Sequence, residues 1–143
     1  MRTLVALAAG LLVAANDPST KKDLEQIRGT WKVESAQRGG KRVDLAQERL
    51  MPKQFVFGDA KVEIKAGDRT MSGTYKLDAT QKPKALTLTS DKDKDNTIAA
   101  SYLLEGDTLK VCVDDANMQV RPKELASKEG TQQVLAVFKR AKK

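Results

Sequence analysis

The chain contains no histidine, which removes the usual general base for a serine or cysteine nucleophile and the commonest zinc ligand. The side chains that remain able to do chemistry are spread thinly. Asp91, Asp93 and Asp95 alternate in DKDKDN like the first ligands of a calcium loop. Such a loop also needs glycine at its sixth position and an acidic residue at its twelfth. Asn96 and Tyr102 stand there, so the segment reads as a solvated hairpin loop and no metal is expected. Cys112 shares the polar parity of its strand with Lys110, whose ammonium would favour a thiolate. A small residue packed under a long loop is the preferred reading, since free cysteine is usually buried. Glu34, Asp44, Glu48, Glu63 and Glu124 share no motif that pairs them as general acid and base. Gly39-Gly40 fits a hairpin turn and not a phosphate-binding loop. Tyr75 and Tyr102 carry more weight. Both fall on the apolar face of central strands, where a hydroxyl needs a partner from the protein or from a ligand. No catalytic residue and no cofactor is expected.

The elements that must position these residues are mostly strands. STKKDLEQIRG reads as a short helix, with Thr20 and Asp23 as a capping box, Leu24 and Ile27 as its apolar edge, and Gly29 as terminator. The period then changes to two. Trp31, Val33 and Ser35 share one face of a first strand closed by RGGK. A one-to-two-turn helix is expected around Leu45, Leu50 and Met51, stopped by Pro52. QFVFGDAKVEIKAGDRTMSGTYKLD holds three short strands, separated at Gly58-Asp59 and Gly67-Asp68. KALTLTS is the next. TIAASYLLEGDTLKVCVDD is a hairpin around Gly106-Asp107, with Ile98, Ala100, Tyr102 and Leu104 facing one way on its first arm. A polar loop from about 114 to 133 precedes the last strand, VLAVFKR. Eight strands with one apolar and one polar face, joined by gaps too short for crossover helices, imply an antiparallel sheet. Closed on itself, it loses its edges.

Residues 1–15, MRTLVALAAGLLVAA, run from a cation through an apolar stretch to small residues. They read as a cleaved secretory signal, which leaves residues 16–143 as the domain. The apolar stretch falls short of the roughly 20 residues of a membrane helix, and no transmembrane segment is expected in the mature chain. The signal carries one of the 26 Lys and Arg and none of the 19 Asp and Glu, so the remainder keeps about +6. The signs are interspersed, and exposed aromatic platforms are few. Nucleic acid is therefore not expected as a partner. An envelope protein or an anionic polymer suits the mildly basic surface better. With one cysteine the domain has no internal disulfide and must rely on its core.

A short helix, then Gly29-Thr30-Trp31 opening the first of eight strands, then a basic residue on the last, resembles the lipocalin-type barrel. The resemblance implies an all-β fold, an eight-stranded antiparallel up-and-down barrel with a short N-terminal helix. Trp31 would then plug the floor beside Gly29, and Arg140 (or Lys139) would lie across the indole as a cation–π partner. GTWKV, FVFGDAKV, GTYKLDATQKPKALTLT, YLLEGDTLKVC and RPKELASKEGTQQVLAVFKR together resemble a family of short exported domains found in planctomycete bacteria, a family that implies fold and export but no activity. The resulting expectation is an exported, periplasmic or extracellular, non-catalytic binding domain. It would hold a small apolar or amphipathic ligand among Phe57, Met71, Tyr75, Tyr102 and Leu104. The competing expectation is a filled barrel that acts through its surface and the 114–133 loop, a segment long enough to be a lid or contact surface, with Arg121-Pro122-Lys123 as its stiffest part.

Overall fold

Aspartate followed by proline is a strong helix start, and the first element begins there. The structure, a computed structural model, describes residues 17–48 and 51–141; residues 1–15, expected to be a signal, and Leu50 of the expected second helix lie outside them. Helix α1 (Pro18–Ile27) is capped by Asp17, whose carboxylate accepts from the backbone N–H groups of Ser19 and Thr20 at 3.0 and 3.2 Å, with Pro18 in the first turn. The expected Thr20–Asp23 capping box is not formed. Asp17 caps the helix one turn earlier, which leaves Thr20 and Asp23 inside it, both buried and free for long-range bonds. Thr20 Oγ1 accepts from Ala79 N at 3.0 Å.

Nine strands follow: β1 (Gly29–Arg38), β2 (Lys41–Arg42), β3 (Gln54–Phe57), β4 (Lys61–Ala66), β5 (Arg69–Asp78), β6 (Lys84–Ser90), β7 (Thr97–Glu105), β8 (Thr108–Asp114) and β9 (Gln133–Arg140). Two-residue β2 is an annex to β1 across the Gly39-Gly40 turn. The other eight pair antiparallel with their neighbours in chain order, and β9 returns to β1, from Trp31↔Arg140 to Arg38↔Val134. The described residues thus form a closed eight-stranded up-and-down barrel with one short helix. Alternation is cleanest in β4, where Val62, Ile64 and Ala66 are buried and Lys61, Glu63 and Lys65 exposed. Gly67 and Gly106, at φ +63° and +58°, supply the left-handed residue their tight turns need.

Two local expectations are overturned. A register shift between Val33 and Ser35 moves the interior face from Ser35 to Ala36, which is 1% exposed. A bulge costs one residue of parity, and polar Ser35 gains nothing from the core. Residues 44–48 form no helix. The chain makes two successive turns there, Gln47 N to Asp44 O and Glu48 N to Leu45 O, and the Asp44 carboxylate accepts from Ala46 N. An aspartate bonding its own backbone two residues on favours a turn over a helix.

The connections after β3, β5 and β7 lie with α1 at one end of the barrel, and that end is shut by Trp31. The indole is fully buried and its Nε1–H donates to Ile27 O at 2.8 Å. Arg140, its cross-strand partner, lays its guanidinium carbon 4.2 Å from the ring centre. The same guanidinium donates to the carbonyls of Gln26 and Arg28 and to Asp107 Oδ1. Lys139 points elsewhere, to Thr108 Oγ1. Gly29 stands beside this clamp at φ +122°, and a Cβ on it would come within 3.2 Å of Arg140 Nη1.

Gly73 is the tightest backbone approach in the barrel wall. A Cβ there would lie 2.1 Å from Thr89 O on the adjacent strand, a contact that only parting β5 from β6 relieves. Gly73→Ala is expected to destabilise by about 3 kcal/mol or more, read as a lower urea midpoint with an unchanged slope.

Candidate functional site

The interior divides into three tiers along the barrel axis. At the closed end, below the aromatic rings, Asp23 of α1 accepts from Tyr102 OH at 2.7 Å and from Lys84 Nζ at 3.0 Å. Tyr102 is 1% exposed, and burial followed by the bond to Asp23 pushes its phenol far above the usual tyrosine range. Above this polar knot runs a chain of rings from β9 through β3 to β5. Phe138 to Phe55 is 4.8 Å between centroids, Phe55 to Phe57 is 5.4 Å, and Phe57 to Tyr75 is 4.9 Å edge-on. Tyr75 OH donates to Gly58 O at 2.6 Å, and burial raises its phenol as well. All six aromatic side chains of the chain are buried in these two tiers.

The third tier is a cavity of about 80 Å³. Phe55 and Phe138 form its floor. Ile64, Leu88, Ile98, Val111, Val113, Val134 and Ala136 are its walls, and Met51, Pro52 and Met118 stand toward the open end. A smaller hollow of about 20 Å³ shares Ile64, Leu88 and Ile98 with it and adds Met71, Val62 and Gly73 together with the polar Ser72, Thr89, Ser90 and Asn96. Among the described residues, every side chain around the larger cavity is apolar. Arg38 sits beside this mouth at the end of β1, opposite Val134. It joins the two long connections by donating to Glu48 Oε1 at 2.7 Å and lying 3.3 Å from Asp115 Oδ2. The second contact is one of charge, since Nε is not aligned to donate.

Of the five expected lining residues, only Met71 borders a cavity. Phe57 and Tyr75 belong to the ring tier. Tyr102 and Leu104 are buried, and neither they nor Phe57 and Tyr75 line either hollow. A tyrosine hydroxyl needs a partner wherever it is buried, and here the protein supplies both partners. The residues that sequence reasoning missed occupy the ends of their strands nearest the mouth. The signal for them was strand direction: in an up-and-down barrel, the inward positions next to the connections after β1, β4, β6 and β8 share one end.

The 115–132 connection is fixed to the outer wall and does not hang free as a lid. Pro122 is buried, and its carbonyl accepts from Ser101 Oγ at 2.8 Å. Arg121 donates to Ala100 O and Thr87 Oγ1. Cys112, fully buried, donates weakly to Ala126 O, and burial pushes its thiol up. Both ends of the segment reach the mouth: Ala99 N donates to Met118 O at 2.8 Å near its start, and Gly40 N donates to Ser127 Oγ at 2.9 Å near its end.

Among the described residues no cluster of His, Cys, Asp or Glu is placed to hold a metal ion. Asp91 pairs with Lys61, and the Asp93 carboxylate accepts from Asp95 N. No described helix is long and apolar enough to cross a membrane. No family model, curated protein or solved structure matches the chain.

Two outcomes follow from these environments. The folded state holds the Tyr102 proton to higher pH than the unfolded chain, whose tyrosines titrate near pH 10. The stability contributed by protonated Tyr102 is therefore complete below about pH 10 and is lost as pH rises above it. Tyr102→Phe is expected to be less stable at pH 8 by about 2 kcal/mol. Its stability should then fall less steeply between pH 10 and 11.5, by up to about 1.4 kcal/mol per pH unit, as read by urea unfolding across that range. Native Cys112 should resist a disulfide reagent at pH 8 and react fully once urea unfolds the chain.

Proposed function

We propose that this chain is an exported, non-catalytic binding domain that takes the apolar end of a small molecule into the open half of its barrel. The observation that carries the reading is the cavity of about 80 Å³, walled among the described residues by apolar side chains, two of which belong to a chain of tilted and edge-on rings. Dry apolar cavities of about 150 Å³ take up benzene, so a space half that size suits a chain end or a small branched group. The remainder of such a ligand stays at the mouth, which makes the preferred class amphipathic or extended. A lining that, among the described residues, offers no nucleophile, acid or base supports binding over catalysis. Export rests on residues 1–15 and on the resemblance to exported planctomycete domains. Resemblance to the lipocalin-type barrel, whose members commonly hold apolar ligands, points the same way as analogy of fold.

The test is titration of the domain with an environment-sensitive apolar dye and with medium-chain alcohols and acids, with stoichiometry from native mass spectrometry. Saturable one-to-one binding is expected. Ala136→Phe, which fills the cavity, should weaken it. Excluding even two methylenes costs about 1.6 kcal/mol, roughly fifteenfold in affinity. Tyr102→Phe, below the rings, should leave affinity unchanged. Absence of saturable binding by any of these ligands would overturn the reading. A filled-barrel module acting through its outer surface and the 114–133 loop, on an envelope protein or an anionic polymer, would replace it.

A further inference from the structure

The side chains that oxidants attack are unevenly placed in this barrel. Trp31, Tyr75, Tyr102 and Cys112 are between 0% and 5% exposed, and Met51 is 7% exposed. Met71 and Met118 are 41% and 40% exposed. They are the only oxidisable side chains among the described residues that meet solvent to this degree, and both border the hollows at the open end. Their backbones are held. The Met118 carbonyl accepts from Ala99 N, and Met71 pairs with Ile64 in the β4–β5 ladder. A chemical change at either sulfur therefore acts on the mouth and not on the position of the chain. Burial and the Ala126 contact keep the Cys112 thiol out of competition.

We propose that the mouth is a methionine-oxidation site that controls entry to the cavity, with Met71 and Met118 converted to sulfoxides by a hydroperoxide before any other described side chain. In each case a sulfur lone pair attacks one peroxide oxygen. The O–O bond breaks, an S–O bond forms, and with hydrogen peroxide the second oxygen leaves as water after taking up a proton. The thioether loses two electrons and the peroxide gains them. A sulfoxide oxygen is a strong acceptor to which Ile64, Leu88 and Ile98 offer no donor, while Ser72, Thr89, Ser90 and Asn96 line the same hollow as Met71. It turns to such polar groups or to water, and the mouth becomes polar and hydrated. Either course opposes an apolar guest. The sulfoxide is reducible by methionine sulfoxide reductases, so the change is reversible. The gating half of the proposal rests on the binding reading above; the order of oxidation does not.

The experiment treats the folded domain with hydrogen peroxide and maps oxygen addition by peptide mass spectrometry, with Met1 scored separately where present. Binding of the apolar dye is measured before and after treatment. Expected are two additions, at Met71 and Met118, with Met51 and Cys112 unmodified, and a dye affinity about tenfold weaker. Met71→Leu/Met118→Leu should keep its affinity through the same treatment, and methionine sulfoxide reductase should restore that of the parent. Oxidation of Met51 or Cys112 as fast as the exposed pair overturns the site. Unchanged affinity of a doubly oxidised protein overturns the gate. A protein that binds no dye before treatment overturns the binding reading and the gate with it, while the mapped order still decides the site.

Discussion

The last carbonyls of a ten-residue helix point out of its C-terminus with no partner inside it, and that of buried Ile27 needs a donor from the protein. Here the donors come from the two strands that close the barrel. Trp31 on β1 supplies Nε1–H to Ile27, and Arg140 on β9 supplies two groups to Gln26 and Arg28. Helix termination, barrel closure and burial of the largest side chain are therefore one event, since none is satisfied without the others. Gly29 is required at the same point, because its positive φ turns the chain from helix to strand and its missing side chain leaves room for the guanidinium. This is the physical content of a glycine two residues before the only tryptophan in the chain.

From that clamp the interior is graded along the axis. Rigid rings and satisfied hydroxyls fill the closed half, and aliphatic and thioether groups surround the open half. Aromatic rings from β3, β5 and β9 meet at tilted to edge-on angles and form a floor that flexible side chains could not. Above it, three methionines, the only ones after residue 1, contribute unbranched side chains that adjust to irregular shapes. The closed half is thus built for one packing arrangement, and the open half tolerates several.

Much of the barrel was legible in residue order. Alternation in Lys61–Ala66 and Thr108–Asp114, with Gly-Asp at three connections, is enough to place strands and hairpins. The cation across Trp31 was implied by the resemblance to the lipocalin-type barrel, and closure places Arg140 opposite Trp31. What failed did so for physical reasons. NDPST contains two competing helix starts, and aspartate before proline prevailed over a threonine three residues further on. The bulge after Val33 leaves no mark in a sequence whose local residues tolerate either face. The cavity could not be read from period alone, because its floor exists only where rings from distant strands touch. The tyrosines looked like lining because a buried hydroxyl invites a ligand. Asp23 and Gly58 supplied the partners, one from a helix and one from a turn. The covered outer wall had a signal that was read at Cys112 and not at its neighbours. Ala99, Ser101 and Cys112 are small residues at outward positions, where an exposed strand would carry lysine or threonine.

The clamp at Trp31 also gives the barrel a fixed polarity in space. Asp17 leads into the helix that caps the shut end, and Ala141, whose N–H bonds Thr30 O, leaves the last strand at that same end. Anything attached at either point, whether a surface, a second domain or a label, sits at the pole opposite the methionine rim. A tethered copy would hold its opening outward, and copies arrayed on one support would present their cavities in a single orientation.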